Sequence, residues 1–159
     1  MIAIDGLPYD EILREIELYP RLCGYYVSGF VQLDELRQRS AAQDEIVDLI
    51  YRHFDEDQKT VGPGYFPADH SWDEYEVSQG KARTHTVEAL VGGRSIGHLV
   101  DAMPRSVAED LFDRFVESCG ANPRFYIGLG IGDRRYTFLH GALVVADKIA
   151  GLLWIVESD

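Results

Sequence analysis

With 159 residues, 46% hydrophobic and 26% charged, the chain is sized for one domain over residues 1–159 with its own core, and its composition excludes wholesale disorder. Its net charge of −12 is uneven: residues 1–76 carry 17 acidic against 6 basic side chains, whereas residues 77–159 carry 10 against 9. That excess repels phosphate backbones, so no nucleic acid partner is expected, and it favours a basic protein surface.

The N-terminal Met-Ile-Ala-Ile-Asp lacks the basic and apolar regions of a secretory signal. The apolar runs at 141–146 and 149–156 are far shorter than the ~20 residues of a membrane helix. No membrane partner is expected, and the expected compartment is cytoplasmic. Cys23 and Cys119 are expected as free thiols or small core residues rather than as a disulfide framework.

In chain order, Tyr9, Ile12, Leu13, Ile16 and Tyr19 recur at helical spacing between Pro8 and Pro20, which predicts a helix over 8–18. Residues 21–39 carry two patterns. Tyr25 to Leu33 reads as a strand, while Phe30, Leu33 and Leu36 read as the inner face of a helix over 29–38; the helix is the expectation. Ser40-Ala-Ala-Gln43 has capping-box spacing and precedes the stripe Ile46, Leu49, Ile50, His53 and Phe54, predicting a helix over 41–54. Asp55, Glu56 and Asp57 would stand at its negative pole, costing about 0.3–1 kcal/mol per exposed charge, so a solvated loop is expected to begin there.

That long acidic, aromatic loop spans about 55–82, punctuated by Gly62, Pro63, Gly64, Pro67 and Gly80, with room for a short strand around Tyr75–Val77. Beyond it, Thr84, Thr86 and Glu88 alternate with His85, Val87 and Ala89, predicting a strand over 83–91. Ile96, Leu99, Val100 and Met103 suit a short helix closed by Pro104. Ser106-Val-Ala-Glu109 is a second capping box, opening a helix over 106–119 that Gly120 stops. Strands over 124–130, 135–145 and 149–157, joined by short links, predict an antiparallel meander. The expected fold is α+β, an antiparallel sheet drawn mainly from the C-terminal half and packed against three to four helices. Its expected core is Ile46, Leu49, Ile50, Val87, Leu111, Phe115, Ile127, Leu139, Val144, Leu153 and Ile155.

Four motifs bear on chemistry. Gly93-Arg-Ser95-Ile-Gly97 matches the nucleophile-elbow pattern, with Asp133 and His140 downstream in triad order; yet Ser95 also suits a helix cap, and the downstream hairpins do not suit an α/β-hydrolase. Asp69, His70, His85 and His98 have ligand chemistry for zinc but no helical pairing of histidines, so no metal is assigned. Asp55-Glu-Asp57-Gln-Lys59 starts like a calcium loop and lacks its glycine. Gly128, Gly130 and Gly132 alternate in an expected strand, where they would let a ring or helix approach one face; no helix follows to make a phosphate cradle, and no cofactor is expected.

The acidic loop remains. Asp55, Glu56, Asp57, Asp69, Asp73, Glu74 and Glu76 face a single Lys59, and Tyr65, Phe66, Trp72 and Tyr75 are threaded among them beside His70. Aromatic anchors inside a charged collar are an interface pattern; the same rings folded inward would be a lid on the core. The functional expectation is a non-catalytic protein that binds a basic protein through this segment, as an inhibitor or immunity-type factor neutralising a cationic toxin or nuclease does. The alternatives are a small hydrolase using Ser95 or an Asp69/His70/His85 metal site, and a homo-oligomer whose acidic surface confers solubility.

Overall fold

The computed structural model describes residues 2–21, 23–39, 42–58, 71–92, 101–131 and 138–158, and of residues 56–58 the backbone only. These residues form helices α1 (Tyr9–Glu17), α2 (Asp34–Gln38), α3 (Gln43–Gln58), α4 (Gln79–Val91) and α5 (Arg105–Cys119), with a 3-10 turn at Trp72–Glu74. The strands are β1 (Gly24–Gln32), β2 (Glu76–Val77), β3 (Arg124–Tyr126), β4 (Phe138–Val145) and β5 (Ile149–Glu157). All pair antiparallel, in the order β1-β5-β4-β3-β2. The fold is α+β, and three of the five strands come from the C-terminal half, in the expected meander.

Chain order explains the layers. From edge strand β1 the chain reaches the opposite edge, β2, through α2, α3 and the 3-10 turn, which cover one face of the sheet. It then returns to β3 through α4 and α5, which join α1 on the other face. One core lies on each side. Phe30, Ala142, Val144, Leu153 and Ile155 meet α1, α4 and α5, while Val27, Val31, Leu143, Val145, Leu152, Trp154 and Val156 meet α3 and Trp72. Successive strand residues point to opposite faces, so a strand covered on both sides is apolar throughout, as Ile149–Glu157 is until its last residue.

Several sequence expectations are corrected. Residues 24–32 are a strand, not the start of a helix over 29–38: Phe30, Leu33 and Leu36 share a spacing only because it crosses the boundary between β1 and α2. Residues 83–91 are helical, not a strand. Ser78 caps α4, accepting from Lys81 N–H at 3.2 Å, and Gly92 at φ +84° closes it. The Thr-His-Thr-Val alternation is accidental, because α4 is wedged between the sheet and α5 and buries Ala82, Thr86, Val87, Ala89, Leu90 and Val91. Helix α3 runs through Asp55, Glu56 and Asp57, so these are not loop residues. Helix α5 begins at Arg105 after Pro104, with no side-chain cap from Ser106. The strand expected over 124–130 ends at Tyr126, and Gly128 and Gly130 have φ of +77° and +67°, which no strand accommodates. Of the expected core, Leu49, Ile127 and Leu139 are half-buried at its margins, and the other eight are buried.

Candidate functional site: an acidic layer on one face of the sheet

Helix α3 carries Ile46, Val47, Ile50, Tyr51 and Phe54 against the sheet, all buried. The remaining positions carry Asp44, Glu45, Asp48, Arg52 and Asp55, with Glu56 and Asp57 in the last turn. The 3-10 turn docks on this helix through an aromatic row. Trp72 is 5% exposed, with its ring centroid 5.4 Å from Tyr51 and 5.6 Å from Tyr75. Ser71 caps the turn, accepting from Asp73 N–H at 3.3 Å, and its hydroxyl lies 3.5 Å from the Asp44 carboxylate. The burial of Trp72 pins the turn, which leaves Asp73 and Glu74 exposed beside the acidic side of α3.

The row continues to the sheet edge. Tyr75 lies 3.9 Å from where a Cβ on Gly128 would stand, an ordinary contact that a side chain would tolerate; the positive φ of Gly128 and Gly130, rather than a close ring, calls for glycine there. Glu76 is gripped by Arg124, whose Nε and Nη2 donate to its two oxygens at 2.9 and 2.5 Å. Those bonds hold the Glu76 carboxyl below its ordinary range, partial burial opposing them. Tyr126, beneath, accepts from Gln43 Nε2 at 3.2 Å; burial raises its phenol above the ordinary value.

The two helical layers differ in how their charge is compensated. On the α1, α4 and α5 side, arginines bridge the helices. Arg83 meets Asp113 at 2.9 Å and Glu109 at 3.4 Å, Arg105 meets Glu88 at 3.1 Å, and Arg114 meets Asp110 at 2.8 Å and Glu15 at 2.5 Å. Three arginines there engage five carboxylates. The α3 helix, the 3-10 turn and β2 together hold nine carboxylates and one arginine, Arg52, which pairs with Asp48 at 3.0 Å. Arg124, from β3, is committed to Glu76. No basic side chain stands in the last turn of α3, where the helix dipole adds its own negative pole. Coulomb repulsion among like charges held on one face is relieved by a positive partner.

Of the segment singled out in the sequence, Asp55, Trp72, Asp73, Glu74, Tyr75 and Glu76 share this layer. The backbone of Glu56 and Asp57 belongs to it, while Tyr65, Phe66, Asp69 and His70 lie outside the described residues. Trp72 is part of the core and not an exposed anchor.

The rival sites have less around them. Ser95, His98 and Asp133 lie outside the described residues, and the segment leading to Gly93 is α4, not the strand that a nucleophile elbow requires. His140 on β4 faces His85 on α4, ring centroids 5.4 Å apart. The cavity beside His140, lined also by Glu88, Phe138 and Glu157, measures about 10 Å³, room for one water at most. Among the described residues no group of three or more His, Cys, Asp or Glu side chains is placed to hold a metal ion, and no helix is long and apolar enough to cross a membrane.

One pair went unread in the sequence. Arg21, just after Pro20, is buried under the C-terminal end of α4, donating to Glu157 Oε2 at 2.8 Å, Leu90 O at 2.6 Å and Ala89 O at 2.9 Å. Its role is architectural, tying β5 to α4. The only local signal was a charge closing the apolar run of β5. No protein-family model, curated protein or solved structure matches this chain.

Proposed function

We propose that this chain is a non-catalytic binding protein that engages a basic protein through the α3 and 3-10 layer, in the manner of an inhibitor or immunity-type factor that neutralises a cationic toxin or nuclease. The observation that carries this reading is a contrast among the described residues: arginines bridge α1, α4 and α5, while α3, the 3-10 turn and β2 hold nine carboxylates with one arginine among them. An excess of one sign of charge on a surface raises the association rate of an oppositely charged protein, and the effect falls with salt. The aromatic row beneath holds the carboxylates in place and so reduces the ordering cost of binding. A free Cys23 on the surface and a free Cys119 in the core suit a reducing, cytoplasmic setting.

The test is capture of basic proteins from the source lysate over a salt series with three baits. Wild type should retain a basic protein at low salt and release it as salt rises. Asp44→Asn/Glu45→Gln/Asp73→Asn/Glu74→Gln should lose it, while Glu11→Gln/Glu117→Gln, on the opposite layer, should keep it. Capture that ignores which layer is neutralised would sink the reading.

A further inference from the structure

The β1 edge of the sheet is half filled. Residues 2–4 run antiparallel along its far end, with Gln32 N–H donating to Ile2 O at 3.0 Å, Ile4 N–H to Phe30 O at 2.9 Å, and Ala3 opposite Val31. Outward- and inward-directed backbone groups alternate along an antiparallel strand, so Ser28, Tyr26 and Gly24 also point N–H and C=O away from β5. The odd-numbered residues serve β5: Cys23, in the same register, accepts from Ser158 N–H at 2.9 Å.

Residues 6 and 8 would have to extend the ladder past Ser28 and Tyr26, and their chemistry prevents it. Gly6, at φ +93°, turns the chain away and gives its N–H to the Asp10 carboxylate at 2.9 Å, and Pro8 has no N–H to give. Among the described residues, nothing bonds the outward backbone of Tyr26 or Ser28. The gap runs from Gly24 to Ser28.

Two negative helix poles frame this gap, one on each face of the sheet. Tyr26 donates its hydroxyl to Tyr19 O at 2.6 Å, which holds the C-terminal end of α1, with Glu17 and Leu18 exposed, against one face. On the other face Phe54 of α3 packs on Gly29, 3.1 Å from where a Cβ would stand, so the turn bearing Asp55, Glu56 and Asp57 follows beside the strand. Helix C-termini each carry roughly half a negative charge; at the α1 pole Glu17 stands in the same last turn as Arg14, and Asp55 stands at the α3 pole. An incoming strand therefore meets unpaired backbone groups along its length and the partial negative charge of a helix C-terminus on either side.

We propose that the β1 edge at Gly24–Ser28 receives an extended, lysine- or arginine-bearing segment of the basic partner as a sixth strand. Its alternate side chains reach the ends of α1 and α3, and Leu18, 73% exposed, offers an apolar contact beside the first of these. A second copy of this chain is a poorer occupant, since it would bring its own −12 charge to the same place. The inference rests on the basic-partner reading and specifies how that partner is held.

The experiment is amide hydrogen exchange by NMR on the full chain with a capped Lys-Val-Lys-Val-Lys-Val-Lys peptide. Two controls run beside it: the same peptide N-methylated at alternate residues, and its Glu-Val counterpart. The lysine peptide should raise protection of the Tyr26 and Ser28 amides by about tenfold, and neither control should do so. Perturbation confined to Asp44, Glu45, Asp73 and Glu74 would overturn the strand site while leaving the acidic-layer reading intact. No perturbation at all would overturn the strand site, and the lysate capture would still judge the broader reading. Equal protection by the glutamate peptide would overturn the cationic occupant. Protection that rises with protein concentration alone would overturn it too, and would assign the edge to a second copy.

Discussion

Replacing Arg21 with methionine tests whether the buried pair organises the fold. The Arg21 side chain is fully buried and that of Glu157 is 8% exposed. Methionine keeps much of the volume but leaves the Glu157 carboxylate without its partner and the Ala89 and Leu90 carbonyls of α4 without their donors. Removing one member of a buried ion pair costs about 3–5 kcal/mol, most of it the stranded charge. With a urea m-value of about 2 kcal/mol/M, the unfolding midpoint should fall by about 2 M. Arg21→Met/Glu157→Leu removes both charges and should recover most of that loss, because apolar groups of similar volume replace a buried pair at little net cost. Equilibrium urea unfolding followed by the tryptophan signal reads both variants. A single variant within about 1 kcal/mol of wild type, or a double variant no more stable than the single, would refute the reasoning.

The remaining predictions concern single sites. Trp72→Ala should destabilise the fold by about 3–5 kcal/mol, read as a lower unfolding midpoint, because the indole is a core group between Tyr51 and Tyr75. Burial pushes the Cys119 thiol up to about 12, so a thiol reagent near pH 8 should label only Cys23 in the native protein and both cysteines after denaturation. The same shift makes the fold lose stability as pH rises through the ordinary thiol value of 9.0, and Cys119→Ala should flatten that alkaline limb. Arg124 lowers the Glu76 carboxyl pKa, so its contribution is present above the ordinary value of 4.5 and is lost as pH falls below it; unfolding midpoints for Glu76→Gln should show a shallower acid dependence than wild type.

Where a signal was local, the chain carried it openly. The helix around Leu111 and Phe115, the stop at Gly120, the short strand at Glu76–Val77 and the long strand at 149–157 follow from periodicity and from residues that end elements. Charge also survives folding: more than half of the first half's carboxylates gather on one layer because α3, the 3-10 turn and β2 lie together, while α1 carries Asp10, Glu11, Glu15 and Glu17 to the opposite face. Other features depended on packing. Residues 79–91 alternate like a strand and are helical, since a helix held between a sheet and another helix buries more of its circumference than a surface helix does. Trp72 reads equally as an exposed anchor or as a ring folded onto the core, and it is a core residue because Tyr51, 21 positions earlier, supplies the surface it packs on. Arg21 and Glu157 stand 136 positions apart, and neither carries any mark of the other. By itself, the sequence determined the fold class, most elements and the sign of the surface, since these depend on neighbours within a few residues. The tertiary structure alone decided which carboxylates keep an arginine, which aromatic is buried and which strand edge stays open, since each depends on groups brought together only when the layers close.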